Sequence, residues 1–110
     1  MPAPFEELAE LDRLVHEPAR LAILTALSVC RDADFLFLLR VTGLSKGNLS
    51  SHLSKLADGE LVAIEKDVVE NVPSTRVSLT RSGRTAIERH WERLDKLRRA
   101  SLDWSPEAAR

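Results

Sequence analysis

Residues 45–57 combine an apolar stripe with a polar surface whose chemistry suits nucleic acid. Leu49, Leu53 and Leu56 recur at helical spacing, which predicts one buried helix face. The other face carries short polar side chains and two lysines but no carboxylate, in a chain that has 17 acidic residues. A solvated surface helix is the alternative, but such helices usually mix acids with their lysines. The pattern therefore favours a helix that enters the DNA major groove.

A tight corner is expected just before this helix. Gly43 can adopt the positive φ that a helix end often needs. Ser45 can cap the new helix by accepting a hydrogen bond from the amide of Asn48 or Gly47. We therefore expect the helix to begin immediately after Ser45.

Composition predicts one ordinary globular domain. The chain has 110 residues, of which 44% are hydrophobic and 30% are charged. The N-terminus lacks the pattern of a secretory signal, and the longest apolar run, 35–39, is too short to span a membrane. A cytoplasmic location is the default expectation. The single cysteine, Cys30, excludes an internal disulfide and a thiolate-rich metal site, and we expect it to act as a small apolar filler.

The net charge of −1 is unevenly distributed along the chain. Residues 1–34 hold three Arg and seven acids, net −4, whereas residues 35–100 hold twelve Lys or Arg and eight acids, net +4. The last ten residues contribute −1. The positive part contains the polar helix and most of the chain after it, and attraction to phosphate depends on this local charge.

Periodicity and turn residues predict helices on both sides of one β-hairpin. The first helix should follow Pro4, the second should begin at Pro18, and Asp34 should cap a third. Thr80 should cap a long last helix. The expected helices are a first carrying Phe5, Leu8, Leu11 and Val15; a second carrying Leu21, Leu24 and Leu27; a third over 35–41; and a last carrying Ile87, Trp91, Leu94 and Leu97, with Leu102 and Trp104 beyond it. The polar helix should end near Gly59, where a left-handed residue is useful. Strands are expected over 61–66 and 75–79 with a long loop containing 71–74, and a frayed tail over 105–110.

This order resembles the winged-helix transcriptional regulators of bacteria and archaea, most closely the group related to the ArsR and MarR families. The resemblance covers about residues 14–98 and rests on four segments, 18–24, 34–35, 42–53 and 79–84, with Leu61 and Val62 between the last two. It implies a mainly α fold with a small β-hairpin, a winged helix-turn-helix of order α-α-α-α-β-β-α, with room for one short strand before the third helix. Residues 1–104 would form a single domain with dimerisation helices at both ends.

The resemblance also implies a homodimer that binds an imperfect inverted repeat in double-stranded DNA, usually as a repressor. Asn48 could pair with adenine, and the lysines are better suited to phosphate. For Arg40, phosphate contact and a free surface position are equally open. The hairpin loop would form the wing of such a regulator. It departs from the family pattern, because residues 70–74 lack arginine. The predicted DNA-contacting set is Arg40, Ser45, Lys46, Gly47, Asn48, Ser50, Ser51, Ser54, Lys55, Lys66 and Arg76.

The dimer is predicted to form through the last helix, assisted by the first. The stripe of apolar residues on the last helix continues past the length that an 80-residue core could cover. The predicted dimerisation residues are Phe5, Leu8, Leu11, Ile87, Trp91, Leu94 and Leu97. The apolar cluster Leu36, Phe37 and Leu39 is more than one short helix can bury. Either the first helix covers it, within the monomer or the dimer, or it marks a partner surface or the site of a small apolar effector.

Metal, cofactor and enzymatic chemistry have little support in the residues. His16, His52 and His90 lie far apart without metal-ligand spacing, so we expect no metal and no cofactor, and His52 should bond locally. No activated nucleophile or phosphate-binding loop appears, which argues against an enzyme. The competing interpretation is a winged-helix protein-interaction module that does not bind DNA, favoured by the arginine-poor wing and the apolar third helix.

Overall fold

The computed structural model describes residues 3–109, apart from the side chains of Asp32, Ala108 and Ala109. Over this range the chain forms five α-helices and a three-stranded antiparallel sheet. The elements are α1 (Pro4–Ala9), α2 (Pro18–Val29), β1 (Asp32–Asp34), α3 (Phe35–Thr42), α4 (Lys46–Asp58), β2 (Val62–Val69), β3 (Val72–Leu79), α5 (Arg81–Asp103) and a 3-10 helix (Pro106–Ala109). The predicted winged helix-turn-helix order is confirmed, including the short strand before the third helix.

An aliphatic core joins the helices to one face of the sheet. Ile23, Leu24 and Leu27 of α2 are completely buried and lie at its centre, as their spacing predicts. Burying an aliphatic side chain of this size contributes about 1.5–3 kcal/mol, so this helix supplies much of the stability. The same cluster includes Leu38 of α3, Leu49, Leu53 and Leu56 of α4, Val77 of β3 and Ile87 of α5.

The hairpin is longer and its turn tighter than the sequence predicts. Only Glu70 and Asn71 separate β2 from β3, and both have positive φ, 50° and 66°. Positive φ at both central residues is typical of a type I′ turn, which matches the twist of the flanking strands. The predicted long loop over residues 71–74 is therefore wrong. Pro73 is tolerated in β3 because β1 pairs only as far as Arg76, so β3 has one neighbouring strand there.

The first helix is shorter than its apolar spacing predicts. It ends at Ala9, and residues 10–17 form an irregular segment in which Leu11 and Val15 are nevertheless buried. The Asp12 carboxylate accepts a hydrogen bond from the Leu14 amide at 2.9 Å, and the backbone carbonyl of Asp12 accepts one from the His16 amide at 2.7 Å. A short carboxylate that bonds nearby amides competes with helix formation.

The end of α4 also differs from the prediction. Glu60 takes the left-handed conformation, with φ 62°, whereas Gly59 has an ordinary φ of −82°. Leu14 packs against Gly59, and a Cβ there would lie 2.5 Å from Cδ2 of Leu14, so this side chain would have to shift to admit any larger residue. The expectation that Gly59 supplies the left-handed residue is wrong.

The apolar third helix is only partly covered. Leu38 is fully buried, and Phe37 and Leu39 pack at the edge of the core. Leu36 remains 64% exposed, because α1 packs against α5. The proposal that the first helix covers this cluster within one chain is therefore wrong.

Candidate nucleic-acid interface

Capping bonds fix the two helices of the helix-turn-helix. The Asp34 carboxylate accepts from the Phe37 amide at 2.7 Å, and the Ser45 hydroxyl accepts from the Asn48 amide at 3.2 Å. Between the helices, Gly43 has φ 69°, and its amide donates to the Leu39 carbonyl at 3.1 Å. All three were predicted from the sequence and are confirmed. The corner sets the direction in which α4 leaves α3.

The structure divides α4 into a buried and an exposed face. Leu49, Leu53 and Leu56 enter the core, as predicted. Helix α4 extends one residue beyond the predicted end, so exposed Asp58 lies in its last turn, beyond Lys55. The N-terminal turns, which contact bases in helix-turn-helix proteins, contain no acid. The exposed residues of the predicted set in and before α4 are Arg40, Ser45, Lys46, Gly47, Asn48, Ser50, Ser51, Ser54 and Lys55.

A cleft joins α4 to the hairpin. It has a volume of about 370 Å³, and Ser50 and Ser54 of α4 line it together with Lys66 of β2 and Thr75 of β3. Lys66 and Thr75 are directly opposed across the two strands, so they share one face of the sheet. The structure therefore brings Lys66 together with the α4 surface, as a shared contact with one DNA duplex would require.

Arg76 does not line the cleft between α4 and the hairpin. Strand alternation puts it on the opposite face of the sheet from Thr75. Its Cα is paired in register with Asp34 of β1 and Glu65 of β2, so two acidic residues flank it. Of the two wing cations in the predicted set, Lys66 joins the α4 surface and Arg76 does not. Contact between Arg76 and DNA remains a prediction that this position does not support.

The tip of the wing is apolar and acidic. Val68, Val69 and Val72 are exposed, and Glu70 forms part of the turn. Residues 62–79 carry three acids and two cations, net −1. Phosphate would repel such a tip, which agrees with the departure from the family pattern seen in the sequence.

A polar cluster that the sequence did not predict holds the back of α4. Nδ1 of His52 lies 3.2 Å from Nη1 of Arg20 and 3.6 Å from Oε2 of Glu17, both at the start of α2. The expectation that His52 bonds locally is wrong. Arg20 also donates from Nε to the Leu14 carbonyl at 2.7 Å and from Nη2 to the Arg13 carbonyl at 3.0 Å. Partners 32 residues apart leave no periodic signal, so sequence patterns could not reveal this cluster.

Protonation of Glu17 is shifted by the same cluster. Partial burial raises the pKa of its carboxyl, but the amides of Arg20 and Ala19 and the charges of His52 and Arg20 outweigh it and lower the pKa below 4.5. The anion caps α2, since its Oε2 accepts from the Arg20 amide at 2.9 Å. Glu17 is therefore ionised at neutral pH.

A second histidine contact joins the irregular segment to α5. Nδ1 of His16 lies 3.0 Å from Nε2 of His90, so one ring donates and the other accepts. His90 is only 6% exposed. Its burial and the neighbouring His16 lower the pKa of His90 below 6.5, and Arg93 adds to this effect while Asp12 opposes it. Exposed Arg89 lines the same small cleft.

We expect stability to fall in mild acid because of His90. The fold favours the neutral ring, so the unfolded chain binds the proton at a higher pH, and this contribution is complete above about pH 6.5 and declines below it. Urea unfolding at pH 7.5, 6.5 and 5.5 should give falling midpoints. His90→Gln should flatten this decline, and an equal decline in both proteins would contradict the assignment. The stabilising contribution of ionised Glu17 is complete above its ordinary pKa of 4.5 and is lost only at lower pH, outside this window.

The predicted dimerisation residues fall into two groups. Leu11, Ile87 and Leu97 are buried within the single chain. Phe5 and Trp91 are exposed, and Leu8 and Leu94 are half-buried. The Phe5 ring packs edge-on against Trp104 with centroids 5.2 Å apart. Leu102, which lies in α5 rather than beyond it, is 72% exposed.

Neither a metal-binding cluster nor a membrane-spanning helix occurs within residues 3–109. Over that range no group of three or more His, Cys, Asp or Glu side chains is arranged to hold a metal ion. None of the helices in the same range has the length and apolarity to cross a membrane.

Comparisons with known proteins place this architecture in a family. The model of the winged helix DNA-binding domain matches residues 19–98. The structure of a transcriptional regulator homologue from Pyrococcus horikoshii OT3 is 33% identical, with a TM-score of 0.80, and the match covers 90% of this chain and 99% of that one. No curated protein sequence matches the chain significantly.

Two other structures share the fold at lower identity. A MarR-family transcriptional regulator from Silicibacter pomeroyi is 24% identical, with a TM-score of 0.64 over 96% of this chain and 68% of that one. BpsR from Bordetella bronchiseptica, whose DNA binding is regulated by 6-hydroxynicotinic acid, is 17% identical, with a TM-score of 0.68 over 96% of this chain and 78% of that one. The chain belongs to the winged helix DNA-binding domain family, and its class is that of the transcriptional regulators.

Proposed function

We propose that the protein is a sequence-specific, DNA-binding repressor that acts in the cytoplasm as a homodimer on an inverted repeat. The observation that carries this proposal is the exposed, acid-free surface of α4 over residues 46–57. Lys46 and Lys55 suit phosphate there, and the Asn48 amide can exchange two hydrogen bonds with adenine. Lys66 extends the cationic surface across the cleft to the hairpin.

Selection of bound duplexes from a random pool tests the proposal. A dimer that presents two α4 helices to one face of a duplex should enrich an imperfect inverted repeat, with half-site centres about 10 base pairs apart. Enrichment of no sequence, or of a single asymmetric site, would count against a repressor of this design. Repression itself is tested by a promoter that carries the selected site, whose transcription should fall when the protein is present.

The shape of the chain supports dimerisation through α5. Its radius of gyration is 17.3 Å, compared with about 13 Å for a compact domain of this length. Helix α5 has 23 residues, and exposed Trp91 and Leu102 lie eleven residues, or about three turns, apart on one side of it. A second copy would cover these side chains.

Leu102→Glu is expected to produce monomers and to weaken binding to the selected site strongly. The charge would lie in the proposed interface, and because Leu102 is exposed, the fold of each chain should survive. Leu94→Glu, at a half-buried position, should act in the same direction. Light scattering gives the mass, and Glu92→Gln, on an exposed position of the same helix, serves as control. Wild-type protein that is monomeric at micromolar concentration would disprove the dimer.

A protein-interaction module is the second candidate, and the apolar, acidic wing tip favours it. The two functions differ in their response to salt. A DNA-binding protein releases counterions from phosphate, so its affinity for any duplex should fall steeply as salt increases. An interaction module should show no salt-dependent duplex binding.

An effector remains part of the proposal only in a restricted form. A cleft of about 460 Å³ lies between α1 and the end of α5. It is lined by Pro4, Leu97 and Trp104 and by four carboxylates, on Glu6, Glu7, Glu10 and Asp103. A small apolar effector without a negative charge would suit this lining. An aromatic acid would be repelled.

A further inference from the structure

Two adjacent residues, His16 and Glu17, contact the two helices that carry the proposed functions. His16 bonds His90 of α5 at 3.0 Å. Glu17 lies 3.6 Å from His52 of α4. The residues therefore connect the helix of the proposed dimer to the helix of the proposed DNA contact.

The segment that carries this connection is held rigidly. Arg20 donates to the carbonyls of Arg13 and Leu14, and Val15 is 2% exposed within the core. Leu14 packs against the end of α4, with its Cδ2 atom 2.5 Å from the place that a Cβ at position 59 would take. Because contacts on both sides hold the segment and the Cα atoms of His16 and Glu17 are only about 3.8 Å apart, we expect a displacement of His16 to move Glu17 as well.

The contact at His52 depends on whether Nδ1 of its ring carries a proton. A guanidinium can only donate, so the bond from Arg20 requires that Nδ1 of His52 carry no proton. The Glu17 carboxylate can only accept a hydrogen bond, so it favours a His52 ring that carries a proton on Nδ1. A small movement of Glu17 relative to Arg20 therefore changes which partner holds the back of α4.

We propose that His16 and Glu17 are positioning residues that transmit the placement of α5 to α4, through His90 at one end and through His52 and Arg20 at the other. This inference rests on the proposed DNA-binding function. None of these five side chains belongs to the DNA-contacting set, and α4 and α5 do not pack extensively on each other within residues 3–109. The connection supplies a path by which dimer formation, or a ligand beside α5, adjusts the DNA-binding helix.

A double-mutant cycle tests the connection. His90→Asn, His52→Asn and the double variant are compared with wild type by anisotropy on the selected duplex, with urea unfolding and light scattering measured in parallel. We expect His90→Asn to weaken binding about fivefold while the protein remains a folded dimer. The double variant should fall short of the product of the two single effects by at least about threefold, because either change already breaks the connection.

A matched pair serves as control. Glu88→Gln changes an exposed α5 side chain, and its effect should multiply with that of His52→Asn. His16→Asn breaks the same contact from an exposed position and should reproduce His90→Asn if the buried variant folds poorly. Multiplicative effects of His90→Asn and His52→Asn, or no effect of His90→Asn and His16→Asn on affinity, would overturn the inference.

Amide hydrogen exchange separates this inference from the proposed function. His16→Asn should raise the exchange rates of α4 amides without DNA, with Glu88→Gln unchanged. If wild type bound no duplex, the proposed function would fail, and the exchange result would still decide the connection. Unchanged α4 amides would refute it.

Discussion

Gly83→Ala is expected to destabilise the protein by at least about 3 kcal/mol, the upper range for overpacking a core. Gly83 is buried in the first turn of α5, and an added Cβ would overlap the carbonyl oxygen of Leu61 and lie 2.8 Å from its carbonyl carbon. That carbonyl cannot move freely, because it accepts from the Thr80 amide at 3.1 Å. The Thr80 hydroxyl also donates to the Glu60 carbonyl at 2.6 Å. The start of the hairpin and the start of α5 would therefore be forced apart.

Gly47→Ala is the matched control, since Gly47 also lies in the first turn of a helix. Nothing lies within 4 Å of a Cβ built there, so alanine should stabilise α4 by about 0.5–1 kcal/mol through the smaller backbone entropy it loses. Urea unfolding of both variants gives the two free energies. Similar stability of both variants would show that α5 and the hairpin do not approach each other this closely.

Three variants in α4 should weaken DNA binding in two different ways. Lys46→Ala and Lys55→Ala each remove a cation suited to phosphate, so affinity should fall equally for all sequences. In a dimer each change acts twice, and the slope of log affinity against log salt should shrink by about two. Asn48→Ala should cost about 1–3 kcal/mol per half-site on the selected duplex and little on scrambled DNA.

Lys96→Ala is the charge-matched control, since it removes an exposed cation from α5. Its salt slope should equal that of wild type. Equal losses on selected and scrambled duplexes for Asn48→Ala would exclude direct base contact by that side chain.

The sequence predicted the features that depend on local chemistry. Asp34, Ser45 and Thr80 cap the helices as expected, because a short side-chain oxygen next to an apolar stripe is a sufficient signal. The buried face of α4 followed from the spacing of Leu49 and Leu53. Most of the exposed α4 surface was predicted for the same reason.

Features that depend on chain segments meeting in space were missed. Gly59 was expected to supply a left-handed residue, but Glu60 takes that conformation, and Leu14, far away in sequence, packs against Gly59. The sequence does not distinguish the two wing cations, Arg76 and Lys66, but the strand register places them on opposite faces of the sheet. The contacts from His16 to His90 and from Arg20 to His52 cross 74 and 32 residues, so nothing in local spacing announces them.

The wing shows how local chemistry can mislead. Asn71 and Pro73 favour a turn, but the turn closes at Glu70 and Asn71, and Pro73 lies within β3. Tight pairing of β2 with β3 outweighs the turn preference of proline at a strand with one free edge. The wing is therefore a hairpin closed by a two-residue turn, with valines at its tip.

The central claim is that the α4 surface binds DNA, and a salt titration of the wild-type protein on the selected duplex tests it most directly. In the proposed dimer, Arg40, Lys46, Lys55 and Lys66 of both subunits would give eight phosphate contacts, so the slope of log affinity against log salt should be about −7. The selected duplex should bind at least about a thousandfold more tightly than scrambled DNA at the same salt. Affinity that does not change with salt, or that is equal for both duplexes, would contradict the account.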